Sequence, residues 1–365
     1  MAFESAINTD ESGTEEDKAR DLAARDLVAR RAASQFARPR TWRGLLQLAT
    51  SFGPFIAGCA AMYLVMPYST LLALLLALPT GALLLRVFIV QHDCGHGSFL
   101  PSRRANALVG RLCSLITLTP YANWARQHSL HHAAWNDLDR PGGSDIYSSC
   151  ITVRAYLALS PRARLLYRLA RHPLVANLLV PPLVFLLLYR TPFETPRAWT
   201  RERWSVYLTN AALVAMFGTL VAVLGWRSVL LIHVTVIAVS SILGVWLFTL
   251  QHRFATAHWT GRDAWNFVPA ALDGASWFDL PRALHWLTGN IGFHHIHHLD
   301  QRVPNYRLRA AHETVQALRP VQRLGLAGGL TAPLLTLWDE SAGRLVSFRD
   351  VARAARQTPA QGMSS

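Results

Sequence analysis

The chain has 365 residues, is 51% hydrophobic and only 16% charged, and has a positive mean hydropathy. This departs from the composition of soluble proteins toward that of chains whose solvent is a bilayer. Its formal charge of +14 does not mark a nucleic-acid binder, because the arginines fall between apolar segments rather than along one basic stripe with interleaved aromatics.

In chain order, the first twenty residues carry Glu4, Asp10, Glu11, Glu15, Glu16 and Asp17. That is the opposite of a basic leader, and no cleaved signal is expected. Glu15 to Arg38 mixes charges with Leu22, Leu27 and Val28 and reads as a surface helix laced by salt-bridge pairs. Four runs of about 20 apolar residues are long enough to cross a bilayer as helices: Leu45 to Met66, Thr70 to Gln91, Val206 to Leu224 and Val229 to Leu250. A fifth, Leu174 to Tyr189, is shorter and contains Pro181-Pro182, which remove backbone donors and break helices. It reads as a re-entrant or interfacial hairpin. The stretch Gln357 to Ser365 has the composition of a disordered tail.

Charge flanking the runs gives an orientation. Arg38, Arg40 and Arg43 precede the first span, Arg103, Arg104, Arg111 and Arg126 follow the second, and Arg197, Arg201 and Arg203 precede the third. The turn Pro67 to Ser69 is uncharged and Gly225 to Ser228 carries only Arg227. The positive-inside rule then puts both termini in the cytoplasm.

Three histidine clusters stand out: His92-Asp-Cys-Gly-His96, His128-Ser-Leu-His131-His132 and His294-His295-Ile-His297-His298. Residues three and four apart share a helix face, so HxxxH presents two imidazoles together and HxxHH three. With His294, His297 and His298 forming the third set, eight ligands result. Eight over-supplies a four-coordinate structural zinc, whereas two metal ions with four or five nitrogens each would use nearly all of them. Imidazole suits iron, copper, zinc and nickel alike, and spacing does not choose among them. Asp93, Asp137, Asp139, Asp145 and Asp300 are candidates to hold the second ring nitrogens, in no order. The clusters can combine only on one side of the membrane, so Leu174 to Tyr189 must dip and return, and Ala107 to Pro120 must lie in or on the interface. Cys59, Cys94, Cys113 and Cys150 lack CxxC spacing, which indicates neither a zinc ribbon nor a disulfide framework and fits a reducing compartment.

The expected fold is all-α: a multi-pass integral membrane protein with four transmembrane helices, the re-entrant or interfacial hairpin, and a cytoplasmic helical cap carrying a di-metal histidine site. The expected division is an N-terminal segment 1–40, span hairpins 41–91 and 206–250, cytoplasmic regions 92–205 and 251–350, and a tail 351–365.

The segments Gln91-His-Asp-Cys-Gly-His-Gly-Ser-Phe99, Gln127-His-Ser-Leu-His-His-Ala133, Phe248-Thr-Leu-Gln-His252 and Gly289-Asn-Ile-Gly-Phe-His-His-Ile-His-His-Leu299 resemble the membrane fatty acyl desaturase family, in particular its bacterial acyl-lipid Δ12 (ω6)-like subgroup. Val303-Pro-Asn-Tyr-Arg307 and Trp338-Asp-Glu340 look like the same subgroup, and the resemblance covers about residues 40 to 350. It implies a non-haem centre of two iron ions that uses O2 and two electrons to remove two hydrogens from a fatty acyl chain, expected to be lipid-linked. It also implies an external electron donor, ferredoxin or similar with its reductase, and a bacterial inner membrane. Transferred position by position, the ligands are His92, His96, His128, His131, His132, His294, His297 and His298, with His252 as the ninth and His258 as its alternative. No catalytic residue is implied beyond these.

The remaining histidines read differently. His172 is expected in a solvated loop, His285 and His312 at the surface or just behind the ligands, and His295 pointing away from them. His233 lies inside a span, nineteen residues from His252 or about 28 Å along a helix, so it is expected to be packed or hydrogen-bonded. Arg86 is read as a side chain snorkelling to the interface. Asp139-Arg-Pro-Gly-Gly143 looks like the HPGG haem motif of cytochrome b5 with Arg140 replacing the histidine, so no fused electron-transfer domain is expected. The alternatives are a hydroxylase or carotenoid oxygenase of the same superfamily and, from another class, a divalent-metal transporter. The transporter is disfavoured because the four spans contain no Asp or Glu.

Overall fold

The long apolar runs form helices because each must satisfy its backbone groups within itself. The computed structural model describes residues 15–139, 147 and 149–357. In chain order, α1 (Glu15–Ser34) precedes a hairpin of α2 (Thr41–Val65) and α3 (Thr70–His96). Then come α4 (Arg103–Thr117), α5 (Tyr121–Ala133), β1 (Ile151–Thr152), α6 (Val153–Ala158) and α7 (Pro161–Ala170). A π-helical turn, Leu174–Leu179, leads into α8 (Val180–Leu186) and a 3-10 turn, Leu188–Arg190. The second hairpin is α9 (Thr200–Leu224) and α10 (Trp226–His252). The remainder comprises α11 (Phe267–Asp273), β2 (Trp277–Phe278), α12 (Arg282–Leu287), α13 (His294–Leu299), a 3-10 turn at Asn305–Arg307, α14 (Leu308–Leu318), β3 (Arg323–Leu324), α15 (Leu326–Thr331), β4 (Leu337–Asp339), β5 (Arg344–Val346) and α16 (Phe348–Gln357).

Among the described residues, α2, α3, α9 and α10 are long and apolar enough to cross a membrane, close to the expected bounds. Helix α3 is the central one: 61% of its most apolar window is buried, against 17% for α2 and for α9. Both α3 and α10 run past the apolar boundary to end on His96 and His252, so these polar residues stand on the same rods as the spans. Ser69 caps the start of α3, its Oγ accepting from the Leu72 N–H at 3.2 Å. Gly97 ends the helix in the left-handed conformation, φ +70°, its N–H returning to the Asp93 and Cys94 carbonyls.

The fifth apolar run is helical from Leu174 to Arg190 and bent by 45° against α7. Pro181 and Pro182 do not break it. They fall in the first turn of α8, directly after the π-helical turn, whose last bond runs from the Val180 N–H to the Val175 carbonyl. Asn177 Nδ2 donates to Thr249 Oγ1 of α10 at 2.9 Å and anchors the segment. Helix α4 packs one face inward and exposes Leu108 and Leu112, as an interfacial helix would.

Helix α1 is docked rather than merely superficial. Ala29, Ala32 and Ala33 are buried, and buried Asp26 pairs with Arg319 at 3.3 Å, which also holds Asp273 at 2.7 Å. The surface pair Asp21–Arg25, at 2.8 Å, is of the expected kind. Two small sheets interrupt the helices: β1-β4-β5, with β1 parallel and β5 antiparallel to β4, and the parallel pair β2-β3. Strands of two or three residues are too short to leave a period-two signal in sequence. The expected tail lies outside the described residues from 358 onward, as do Asp145 and the Arg140 to Gly143 part of the haem-like stretch.

Candidate metal centre

Four helices deliver histidines to one place. Helix α5 is aimed at the end of α3 by short-range ties. Tyr121 donates its hydroxyl to the Cys94 carbonyl at 2.6 Å, Gln91 Nε2 donates to the Thr119 carbonyl at 3.0 Å, and Thr117 donates to Gln91 Oε1 at 2.6 Å. Helix α13 is held from both ends of the cap: Gln251 of α10 donates to the Ile291 carbonyl at 3.2 Å, and the His295 N–H donates to the Ser276 carbonyl at 3.3 Å.

The result is two abutting groups. His92, His96, His128, His132 and His297 form one, with a ring nitrogen from each lying within 4.8 Å of the others. His131, His252 and His298 form the second at the same limit. His294 joins that second group, its Nε2 3.1 Å from His252 Nε2 and 3.0 Å from His298 Nε2. Aromatic walls hold the rings in place: His128 stacks on Trp124 at 4.6 Å, one helical turn earlier, and His298 packs on Trp135 at 4.2 Å.

Burial pushes His128, His132, His294, His297 and His298 well below the ordinary histidine pKa, and the neighbouring imidazoles push the same way. Neutral rings result, which is the form that binds metals. The donor set fits a transition metal. Nε2 atoms meet at 3.1 Å in the pairs His128–His132, His132–His297 and His131–His252. Two nitrogens bound side by side to one ion at about 2.1 Å would lie about 3.0 Å apart. His96 Nε2 is buried with no hydrogen-bond partner, and an all-nitrogen set suits iron, copper, zinc or nickel rather than magnesium or calcium.

Of the five acids suggested to support the ligands, Asp93 reaches one, its Oδ1 lying 3.1 Å from His92 Nδ1. Asp137 and Asp139 engage Arg262 at 3.4 and 2.9 Å, and Asp300 binds Arg302 at 2.7 Å. His252 is inside the cluster while His258 is exposed. His295 points away, its Nε2 accepting from His312 Nδ1 at 3.0 Å. His172 is exposed, and His233 meets the Tyr63 hydroxyl at 3.1 Å.

Three expectations need correction. His285 and His312 are not surface residues: they are 1% and 5% exposed, and His285 stacks on Phe293 at 4.5 Å while accepting the Leu280 N–H at 3.2 Å. Arg86 does not snorkel. It is buried, donates to the Trp286 carbonyl, and lies over the Trp286 ring at 4.2 Å, so α12 supplies the acceptor and the π-face that water would otherwise provide.

A cavity of about 700 Å³ opens beside the histidines, within the range of ligand pockets. His92, His128, His131 and His294 form part of its wall. Leu84, Phe88, Ile237, Gly244 and Phe248 extend it between the spans, and Asp137, Arg171 and Glu194 lie along its polar part. The aromatic and cap residues of this wall were not foreseen. Phe88, Trp124 and Phe248, each four residues before a cluster histidine on the same helix, are the ones that helical spacing flags.

Comparison with known proteins accounts for this architecture. The family model described as fatty acid desaturase matches residues 68–327. A fatty acid desaturase of Bacillus subtilis is 41% identical over 316 residues, covering 87% of this chain and 89% of the relative. Two Synechocystis proteins are each 28% identical: an sn-1 oleoyl-lipid 12-desaturase, aligned over 65% of this chain and 66% of its own length, and an sn-1 acyl-lipid omega-3 desaturase (ferredoxin), over the same shares. A chain with these spans, these converging histidines and this degree of likeness belongs to the fatty acid desaturase family and is an oxidoreductase of that kind.

Proposed function

We propose that the protein desaturates a lipid-linked fatty acyl chain at a bacterial inner membrane, with nine histidines holding two irons on the cytoplasmic side. The observation that carries this reading is the meeting of the rings in groups of five and four at the wall of an apolar cavity between the spans. His92, His96, His128, His132 and His297 would hold one ion, and His131, His252, His294 and His298 the other. Bound there, a pair of redox-active irons would supply the oxidising power to take two hydrogens from an unactivated chain with O2 and two electrons.

The protein's own groups prepare the site. Buried neutral imidazoles offer lone pairs without first shedding protons. Trp124 stacks on His128 and Trp135 packs at a tilt on His298, and Leu84, Phe88 and Phe248 keep the wall apolar, so that an acyl chain replaces water beside the cluster. The ferredoxin named for the omega-3 relative supports a small external donor. The polar stretch at Asp137, Arg171 and Glu194 suits the head of a lipid whose tail lies between the spans.

Expression in a host that makes only saturated and monounsaturated lipids, with the donor supplied, tests the proposal. Fatty acid analysis should reveal a new double bond, and the purified protein should carry about two irons per chain. His131→Ala and His297→Ala should lose both activity and bound iron. An unchanged lipid profile with inserted, iron-loaded protein would overturn the assignment of reaction, and full turnover in both variants would overturn the ligand set.

A further inference from the structure

Behind His92 stand three buried side chains, drawn from three separate elements, that bind no metal themselves. His92 Nδ1 lies 3.1 Å from Asp93 Oδ1. Asp93 Oδ2 accepts from the Asn305 backbone N–H at 2.7 Å and from Asn305 Nδ2 at 2.8 Å. Asn305 Oδ1 in turn accepts from Gln47 Nε2 at 2.9 Å. All four residues are 5% exposed or less, so water does not compete for these bonds.

The polarity of the chain follows from its donors and acceptors. The Asn305 backbone N–H marks Asp93 as the acceptor, so Asn305 turns its amide NH2 toward Asp93 and its carbonyl toward Gln47. An acceptor at Asp93 Oδ1 then requires the proton of neutral His92 on Nδ1, leaving the Nε2 lone pair free for the cluster. A carboxylate in this place fixes the tautomer and ring orientation of a ligand imidazole and raises its basicity.

We propose that Gln47 of α2 and Asn305 of the 3-10 turn are positioning residues, which hold Asp93 so that His92 presents Nε2 to the metal. This rests on reading the histidine cluster as a metal centre. Helix α2 contributes no histidine to that cluster, yet through Gln47 it sets the state of one. Contacts to both Asp93 oxygens also stop the carboxylate from rotating away, which the His92 bond alone would allow.

The test uses the purified full chain loaded with Co(II), whose visible spectrum reports its ligand set. Gln47→Glu, studied at alkaline pH so that the carboxylate is ionised and has no proton to donate, places an acceptor against Asn305 Oδ1 and drives the Asn305 amide to turn over and face its oxygen to Asp93. Gln47→Met fills the space without that reversal, and Asn305→Ala keeps the backbone bond while removing the amide. Gln47→Glu and Asn305→Ala should alter the Co(II) spectrum and speed metal loss to excess EDTA by about tenfold or more, while Gln47→Met should do so less. A purely structural role would lower the melting temperature equally in both Gln47 variants and leave the spectrum and loss rate of the wild type, which would overturn the proposal. If Gln47→Glu fails to fold, unchanged spectra and loss rates in Asn305→Ala and Gln47→Met overturn it equally. A wild-type chain that takes up no Co(II) would defeat the reading as a metal centre instead.

Discussion

His285, His295 and His312 bury imidazoles that bind no cluster partner, and this burial has a measurable acid signature. Burial is the main cause that lowers His295 to about 3 and His285 and His312 to about 4, from an ordinary 6.5. Charge on His312 disfavours charge on His295, and Arg309 acts likewise on the other two. With folded-state values depressed, the unfolded chain takes up protons first as pH falls. The stabilisation from keeping these rings neutral is therefore whole above about pH 6.5 and is lost as pH drops toward the folded values. Without metal, His128, His132, His294, His297 and His298 act with the same sign. The melting temperature of metal-free protein in detergent should thus decline between about pH 6.5 and 5, above the range where ordinary carboxylates titrate. A flat profile across that window would contradict the burial assigned to these rings. Residue types and spacings made the nine cluster histidines legible, because HxxxH and HxxHH place imidazoles on one helix face whatever the tertiary packing. The fates of His285, His312 and Arg86 were not legible, since each depends on a stacking ring or carbonyl from a distant element, Phe293, His295 or Trp286.

At the scale of elements, the site depends on how closely α3 and α10 approach, because each ends on a histidine of a different group. Gly81 sets that approach: a Cβ there would lie 2.6 Å from the Val239 side chain and 3.0 Å from the Val236 carbonyl oxygen. Small residues allow helices in membranes to pack this tightly. Gly81→Val must therefore push the rods apart, at a cost of about 1–3 kcal/mol from overpacking, and spread His92 from His252. The expected outcome is lower thermal stability together with reduced iron content, although residue 81 lies about 16 Å along the helix from His92. Gly218→Val serves as the contrast, since nothing lies within 4 Å of a Cβ at that position in α9. Equal iron retention in the two variants would show that the α3–α10 contact does not govern the site. The four long helices were readable from run length alone. Nothing in the sequence marked Gly81 among the other glycines of the spans, because its role exists only when Val239 is opposite.

For the molecule as a whole, the meeting of all the boxes restricts how the chain can cross a membrane. Helix α3 enters the cluster at its C-terminal end, and so does α10. Helix α9 runs antiparallel to α10 and begins near α5, where the Ala122 N–H donates to Ser205 Oγ at 3.1 Å. The chain therefore leaves the cluster after His132 and returns to the same side by Thr200. An intervening segment that starts and ends on one side cannot make a single full crossing, so we propose that Leu174–Arg190, despite an apolar stretch that can be counted toward a fifth span, dips and returns. Its two ends lie near the cluster, with Asn177 bound to Thr249, three residues from His252, and Arg190 donating to the Leu118 carbonyl just before α5. With the arginine-rich cluster side in the cytoplasm, as proposed, the turns at Tyr68 and Arg227 would lie outside. A phosphatase that works only after export should therefore be active when inserted at Tyr68, which is 90% exposed, or at Arg227, and inactive when inserted in the exposed Arg197–Arg201 stretch or fused after α16. Activity at Arg197–Arg201 together with Tyr68 would require an even number of crossings between them, with Leu174–Arg190 crossing as well as α3, and the nine histidines could not then share one compartment.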